Sequence, residues 1–263
     1  MTSYSFDNTW KQARRRLSGI EARFDAGTIR ILEACGVSPA WRCLEVGGGG
    51  GSIVAWLCER VGPEGYVLAT DLDTRFLEAL AYPNLDVRRH DIVSDELPEG
   101  AFDFVHSRML LSHLPERDTA LRHMAAALKP GGWLVCEELD DLSVTLVSPD
   151  DAASQALYMK IEAAVKRVME ARGHVYDYGR RLVSRFNALG LLEVEVEGRV
   201  VLRQAGPGAQ VARLTVEQLR DDIVRSGLAT PSEIETYLAL LANPAFVAVP
   251  ATLFAARGRR TAV

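Results

Sequence analysis

The chain has 263 residues, 48% of them hydrophobic and 25% charged, with a formal net charge of −5. Such proportions describe an ordinary globular protein with one large domain, or one domain and a small accessory piece. An acidic balance disfavours a dedicated nucleic-acid binder, and the one tight basic cluster, Arg14-Arg15-Arg16, reads as a solvated helix face.

The opening stretch, MTSYSFDNTWKQARRR, lacks the apolar core of a signal peptide, and no apolar run approaches the ~20 residues that span a bilayer. A cytoplasmic protein without membrane contact is therefore expected. Cys35, Cys43, Cys58 and Cys136 show neither CxxC pairing nor zinc-site spacing, and their apolar neighbours suggest buried free thiols with no metal.

Residues 8–36 are helical in pattern, with Trp10, Leu17, Ile20, Phe24, Ile29 and Leu32 at helical intervals and a break near Phe24-Asp25-Ala26-Gly27. Strand-like and helix-like segments then alternate. WRCLEV (41–46) precedes a helix from Ser52 to about Arg60, and GYVLATD (65–71) precedes a helix at 74–81. LDVRRHD (85–91) leads to FDFVHS (102–107), then to a helix at 117–128 stopped by Lys129-Pro130-Gly131-Gly132, then to GWLVCEE (132–138). Alternation of this kind implies an α/β fold with a doubly wound, mostly parallel sheet.

Beyond residue 150 the rhythm changes. Helical patterns cover 151–172 and 177–189, followed by LLEVEVEGRVVLRQ (191–204), whose period of two suits a strand at a sheet edge. AGPGA (205–209) breaks that strand. Helices follow at about 214–227 and 231–242, and AVPATLFAARGRR supplies a last strand. One overall domain is expected, divided into an N-terminal helical cap (1–36), a core (37–150), lid helices (151–190), and C-terminal strands with a helical insertion (191–263).

Five consecutive glycines, Gly47 to Gly51, lie between the first strand and its helix. Flexible linkers join domains rather than core elements, so a linker is not expected here. The dinucleotide fingerprint GxGxxG fails in every frame, and no GK[ST] follows for a P-loop. What the stretch satisfies is [DE]-x-G-x-G-x-G, as Glu45, Gly47, Gly49 and Gly51. Side chains are absent where the backbone bends, and an acid at the strand end can hold a cationic amino group. Gly48 and Gly50 occupy the variable positions and are expected to tolerate alanine unless their φ is positive.

This stretch resembles motif I of class I S-adenosylmethionine-dependent methyltransferases, and further matches follow in order. Asp71 ends strand two, where the family's acid bridges the ribose hydroxyls, and Leu72 follows it. His90-Asp91-Ile92 matches the place where an acid meets the adenine amino group. FDFVHSRMLLSHL and LKPGGWLVCEE resemble the segments around strands four and five, which adds Ser107 to the expected cofactor contacts. Over 41–139 the resemblance is strongest, and the core is similar to bacterial small-molecule methyltransferases of ubiquinone-pathway and natural-product type. It implies a seven-stranded Rossmann-like fold and S-adenosyl-L-methionine as cofactor, with S-adenosyl-L-homocysteine as product. No [DNS]-P-P-[YFW] motif occurs, which argues against nucleobase nitrogen as acceptor.

Methyl transfer to a hydroxyl needs alignment and removal of a proton. His113, after strand four, matches a position near the acceptor in similar enzymes and is the first candidate base, with His106 and Glu137 as further catalytic candidates. Glu137, Glu138, Asp140 and Asp141 form an acidic cluster at the end of strand five, readable either as a solvated loop or as acceptor-orienting groups. Arg108, Glu138, Tyr158 and Tyr178 are candidate substrate contacts, while His123 is expected to face solvent. Tyr158, Met159, Met169, His174, Tyr176 and Tyr178 would belong to a lid, with Tyr4, Phe6 and Trp10 closing the other side. The expected function is methylation of a small molecule, at oxygen in preference to carbon or nitrogen. Alternatives are a non-methylating reaction on the same fold (cyclisation, rearrangement or hydroxylation) and a binding module with a vestigial pocket. The accessory helices could pair across a homodimer.

Overall fold

A computed structural model describes residues 10–262, so the expectations for Tyr4 and Phe6 lie outside the described residues. Apolar and β-branched residues dominate the central strands, where such side chains suit a pleated surface buried on both faces, and the parallel part of the sheet ends in a more polar edge strand. The parallel strands are β1 (Arg42–Val46), β2 (Tyr66–Asp71), β3 (Leu85–Arg89), β4 (Phe102–Arg108) and β5 (Leu128–Asp140). With β7 (Leu192–Arg199) and β10 (Thr252–Arg259) they make a seven-stranded sheet in the order β3-β2-β1-β4-β5-β10-β7. β10 runs antiparallel to both its neighbours, and the pairings among β1 to β5 are parallel. The order reverses between β1 and β4, which opens a crevice at their carboxyl ends.

One face of the sheet is covered by α1 (Ala13–Ala34) and α2 (Ser52–Val61), whose Leu32, Val54 and Leu57 pack with Val67 and Phe104. The other carries α3 (Arg117–Ala127) and α5 (Tyr178–Ala188), packed through Leu121, Met124, Leu182 and Phe186 against Val105 and Leu134. A third apolar cluster joins α4 (Ala152–Ala171), α6 (Pro207–Arg225) and α7 (Pro231–Ala242). It also underlies a small sheet of β6 (Thr145–Ser148), β9 (Val247–Val249) and β8 (Arg203–Gln204). No described helix is long and apolar enough to cross a membrane.

Several boundaries differ from expectation, each for a local reason. α1 continues through Phe24-Asp25-Ala26-Gly27 without a break, because Phe24 is buried and Asp25 and Gly27 seat the helix on the rest of the molecule. Asp25 pairs with Arg108, and Gly27 leaves room for the guanidinium of Arg199, which any Cβ there would strike. The stretch 74–81 forms a single turn rather than a helix: Glu78 N–H donates to Thr74 O at 2.9 Å, and so short a segment cannot repay nucleation. α6 begins at Pro207, before the expected 214, since Gly206 caps it and proline suits the first helical position. β5 starts at Leu128 and carries Lys129-Pro130-Gly131-Gly132 within it. The segment 191–204 splits between β7 in the large sheet and β8 in the small one, and the final segment splits into β9 and β10 around Pro250.

Candidate functional site

Gly47, Gly49 and Gly51 have φ of 72°, 53° and 91°, the left-handed region that side chains disfavour, whereas Gly48 and Gly50 do not. The loop is drawn over β2: Gly47 and Gly48 both donate backbone N–H to Thr70 O, and Gly49 N–H donates to Asp71 Oδ2 at 3.0 Å. Asp71 Oδ1 accepts from Asp73 N–H at 3.1 Å, so this one carboxylate shapes two backbone segments. Burial raises its pKa against the lowering effect of those amides. Gly48 is nevertheless not spare: a Cβ there would lie 3.1 Å from Leu77 and 3.3 Å from Val54.

Beside the loop lies a cavity of about 430 Å³ whose walls include Glu45, Gly47 to Gly50, Asp71, Leu72, Asp91 and Ile92. Its charged lining is mostly acidic, with Glu21, Glu45, Asp71, Asp73 and Asp91 against Arg108. Such a wall suits a cationic ligand and disfavours a pyrophosphate, and the volume is within the range of small-ligand sites. Glycines that a Cβ would crowd, an acid at the end of β1 and a second acid at the end of β2 fit S-adenosylmethionine, whose sulfonium and amino group are positive. His123, expected in solvent, is half-buried, and its Nδ1 lies 2.8 Å from Ile92 O, which steadies that wall.

Two of the expected catalytic groups are not in this cavity. His106 is fully buried, with Nδ1 2.7 Å from Glu45 Oε2 and Nε2 3.3 Å from Glu137 Oε2. Burial alone would lower its pKa, but the two carboxylates overcome burial and raise it to about 9. A histidine already protonated and flanked by acids on both nitrogens cannot take a proton from an acceptor, so the role expected of His106 is corrected to an internal counter-ion. Glu137 is equally committed: Thr28 Oγ1 donates to it at 2.5 Å, and Arg199 forms an ion pair with it. Its pKa is lowered, because His106 and the arginines outweigh the effect of burial. Arg108 lines the cavity and donates to Thr28 Oγ1 at 2.9 Å and Asp25 Oδ1 at 2.8 Å, tying α1 to the site.

The acidic cluster is no solvated loop, because Glu137, Glu138 and Asp140 are fully buried. Glu138 accepts from the backbone N–H of Leu110 and Leu111 at 3.0 and 2.6 Å, and from that of Ser112 at 3.3 Å. It thereby fixes the short 3₁₀ turn that carries His113, and burial raises its pKa to about 7. Asp140 is held by Arg180 and Asp141 by Lys166. Ser107 is buried in β4 and does not line the cavity.

His113 stands at a junction. A second cavity of about 410 Å³ lies between α1, α4 and α6, and Ile20, Met109 and His113 line both cavities. Met109 has φ 54°, a strained value for a side chain of its size, at the point where the two spaces meet. His113 Nδ1 lies 3.3 Å from His174 Nδ1, and His174 packs edge-on against Tyr176. Burial, then the neighbouring His174 and Arg16, lower the pKa of His113 well below the ordinary value, and burial takes His174 to about 4.

The lid expected over 151–190 is divided by helix geometry. Met159, Met169, His174 and Tyr176 line the second cavity, but Tyr158 and Tyr178 do not. Tyr158 is one residue, about 100°, around α4 from Met159, and packs against Tyr237 and Phe246 while its hydroxyl meets Arg203. Tyr178 belongs to α5 beneath the sheet, where its hydroxyl donates to Asp118 at 3.0 Å. Neither is a substrate contact in this arrangement, and Glu138 is a support rather than a contact.

Arg16 and four residues not singled out from the sequence, Arg23, Glu162, Lys166 and Arg203, complete the second cavity. Arg16, read as part of a solvated face, is only 4% exposed. A signal was available, since Arg16, Ile20 and Arg23 fall at i, i+4 and i+7 on one stripe of α1. Arg203 had none, because its β8 strand is set by long-range pairing alone.

Residues 7–192 match the family described as methyltransferase domain. Methyltransferase str3 of Strobilurus tenacellus is 34% identical over 140 residues, which is 52% of this chain and 47% of that protein. The ubiquinone/menaquinone biosynthesis C-methyltransferase UbiE of Pseudomonas putida is 30% identical over 125 residues, 44% of this chain and 49% of that protein. The chain thus spans about half the length of these relatives. Among solved structures, phosphoethanolamine N-methyltransferase 2 of Haemonchus contortus, with S-adenosylhomocysteine bound, superimposes with a TM-score of 0.62 at 14% identity. That superposition covers 99% of this chain and 61% of the other, and it shares the fold.

Proposed function

The chain belongs to the S-adenosylmethionine-dependent methyltransferase family, and from that premise we propose that it methylates a small-molecule acceptor at oxygen. The observation that carries this reading is the meeting of two cavities of similar size at Ile20, Met109 and His113. In it the glycine loop, Glu45 and Asp71 hold the cofactor in the first cavity, and the second takes the acceptor. When bound, S-adenosylmethionine supplies a methyl carbon made electrophilic by the adjoining sulfonium.

The protein's own part is to align, to exclude water and to receive a proton. Ile20 and Met109 give the junction beside His113 apolar side chains that exclude water, and alignment is worth most there. His113 is neutral at ordinary pH because burial opposes its charge. In the tautomer whose Nδ1–H donates to His174, its Nε2 is the proton acceptor, and a hydroxyl of the acceptor loses its proton there as its oxygen bonds to carbon.

Titration calorimetry with S-adenosylmethionine tests the premise, micromolar binding being expected and no binding at millimolar concentration overturning it. Against an acceptor panel, S-adenosylhomocysteine should appear in one-to-one ratio with product. Product formed without it would replace methylation by a rearrangement or cyclisation.

A further inference from the structure

We propose that the second cavity takes an acceptor bearing a carboxylate on an apolar body, and that Arg23 is the residue that receives the carboxylate. Among the charged side chains lining this cavity, Lys166 pairs with Asp141, and Arg203 pairs with Glu162 at 2.7 Å. Both carboxylates of the lining are therefore taken. No carboxylate among the described residues pairs with Arg23. Its Nη2 donates to Val201 O at 2.6 Å, whereas its Nε is buried and has no hydrogen-bond partner among the described residues. A buried guanidinium donor without a partner is costly, and a carboxylate is the ligand that its planar fork matches.

The electrostatics agree with the geometry. Burial, then repulsion by Arg203, lower the Arg23 pKa to about 10, so the group is still a cation at neutral pH in surroundings that penalise the charge. A bound anion would relieve both effects. Much of the remaining wall is apolar, including Phe24, Met159, Met169 and Val216, which accommodates a hydrocarbon or aromatic body. Position fits as well: Arg23 follows Ile20 by three residues on the same helix face, and Ile20 lines both cavities. An acid held at Arg23 lies within about one helical turn of the junction, so its other end can reach Met109 and His113.

Arg203 serves as the fixed neighbour rather than the receiver. Its charge is met by Glu162, and its Nη1 also donates to the Tyr158 hydroxyl at 2.9 Å. Tyr237 closes that network by donating to Glu162 at 2.5 Å. A closed network leaves Arg23 as the member of this pair of arginines with capacity to spare.

This assignment rests on the methyltransferase reading for the word acceptor, while the acid preference is a binding property measured without turnover. Calorimetry on the full chain, with and without S-adenosylhomocysteine, compares octanoate and cinnamate with their primary amides. Each acid is expected to bind about tenfold or more tightly than its amide, the scale of a charge-assisted hydrogen bond. In Arg23→Gln that preference should shrink to within about twofold, with S-adenosylhomocysteine affinity unchanged because Arg23 does not line the first cavity. Amides that bind as well as acids, acids that do not bind at millimolar concentration, or a preference that survives in Arg23→Gln would each overturn the assignment. Because an absent wild-type acid preference refutes the assignment by itself, a poorly folding variant does not remove the test. Loss of S-adenosylhomocysteine binding with the acid preference intact would sink the methyltransferase reading alone.

Discussion

Nδ1 of His106 lies 2.7 Å from Glu45 Oε2, and the opposite nitrogen of the same ring lies 3.3 Å from Glu137 Oε2, with all three side chains buried. One imidazolium thus serves two carboxylates, one at the end of β1 and one in β5. Glu45 also lines the first cavity, so His106 orients a cavity-facing acid without itself lining that cavity. Glu137 passes the link on to Thr28 and Arg199, which ties α1 and β7 to the same centre.

Stability should depend on this ion. The folded pKa of His106 is raised to about 9 from an ordinary 6.5, so the folded state holds the proton more tightly. Its contribution is fully present below about pH 6.5 and is lost as pH rises through about 9. Urea denaturation of wild type from pH 6 to 10 should show that loss, and His106→Gln should lack it. The variant should also be less stable by about 3–5 kcal/mol at pH 7, the scale for breaking a buried ion pair. Equal slopes of stability against pH in the two proteins would refute the assignment.

Among the five glycines, alanine should cost least at Gly50, more at Gly48 and most at Gly51. At Gly50 the Cβ meets the charged ends of Glu21 and Arg14, long side chains that can swing away at a cost of about 0.5–1 kcal/mol. At Gly48 it presses on Leu77 and Val54, buried residues that must shift. At Gly51 a φ of 91° combines with Leu80 at 2.9 Å; the conformation alone costs about 1–2 kcal/mol. Melting temperatures of the three variants give the order directly.

Asp71→Asn should weaken S-adenosylhomocysteine binding about ten- to hundredfold while the chain stays folded. The amide keeps one acceptor, but its NH₂ then faces either Gly49 N–H or Asp73 N–H, so one backbone segment loses its anchor. Calorimetry reads the affinity, and an unchanged dissociation constant would exclude Asp71 from the cofactor site.

His113→Ala should lower turnover about 10²–10⁴-fold and leave cofactor affinity nearly intact, if the residue is the proton acceptor. Its pKa is lowered well below 6.5, so the acid limb of the wild-type kcat profile should lie well below that pH. A limb near 6.5, or one that persists in the variant, would assign the titration to another group.

Much of this arrangement was legible in the sequence because it is local. A strand's apolar run, the glycines after it and an acid at the next strand's end are set by steric and hydrogen-bonding rules acting over a few residues. Glu45, Gly47, Gly49, Gly51 and Asp71 could therefore be read in order, as could the alternation behind a mostly parallel sheet, while its seven strands were implied by the family resemblance. Tertiary structure decided what depends on which distant groups meet. His106 reads in the chain as a base at a ligand edge, and only the approach of Glu45 and Glu137 makes it an internal cation. Tyr158 and Met159 are adjacent in sequence, yet helix rotation puts one in the core and the other in a cavity wall. The second cavity is assembled from α1, α4, α6 and the Arg203 strand, and a burial pattern shows that a side chain is covered without showing what covers it. Charge balance inside such a space is a sum over non-local neighbours. Composition therefore gave the chain its acidic sign, while folding concentrated arginines in one cavity and carboxylates in the other.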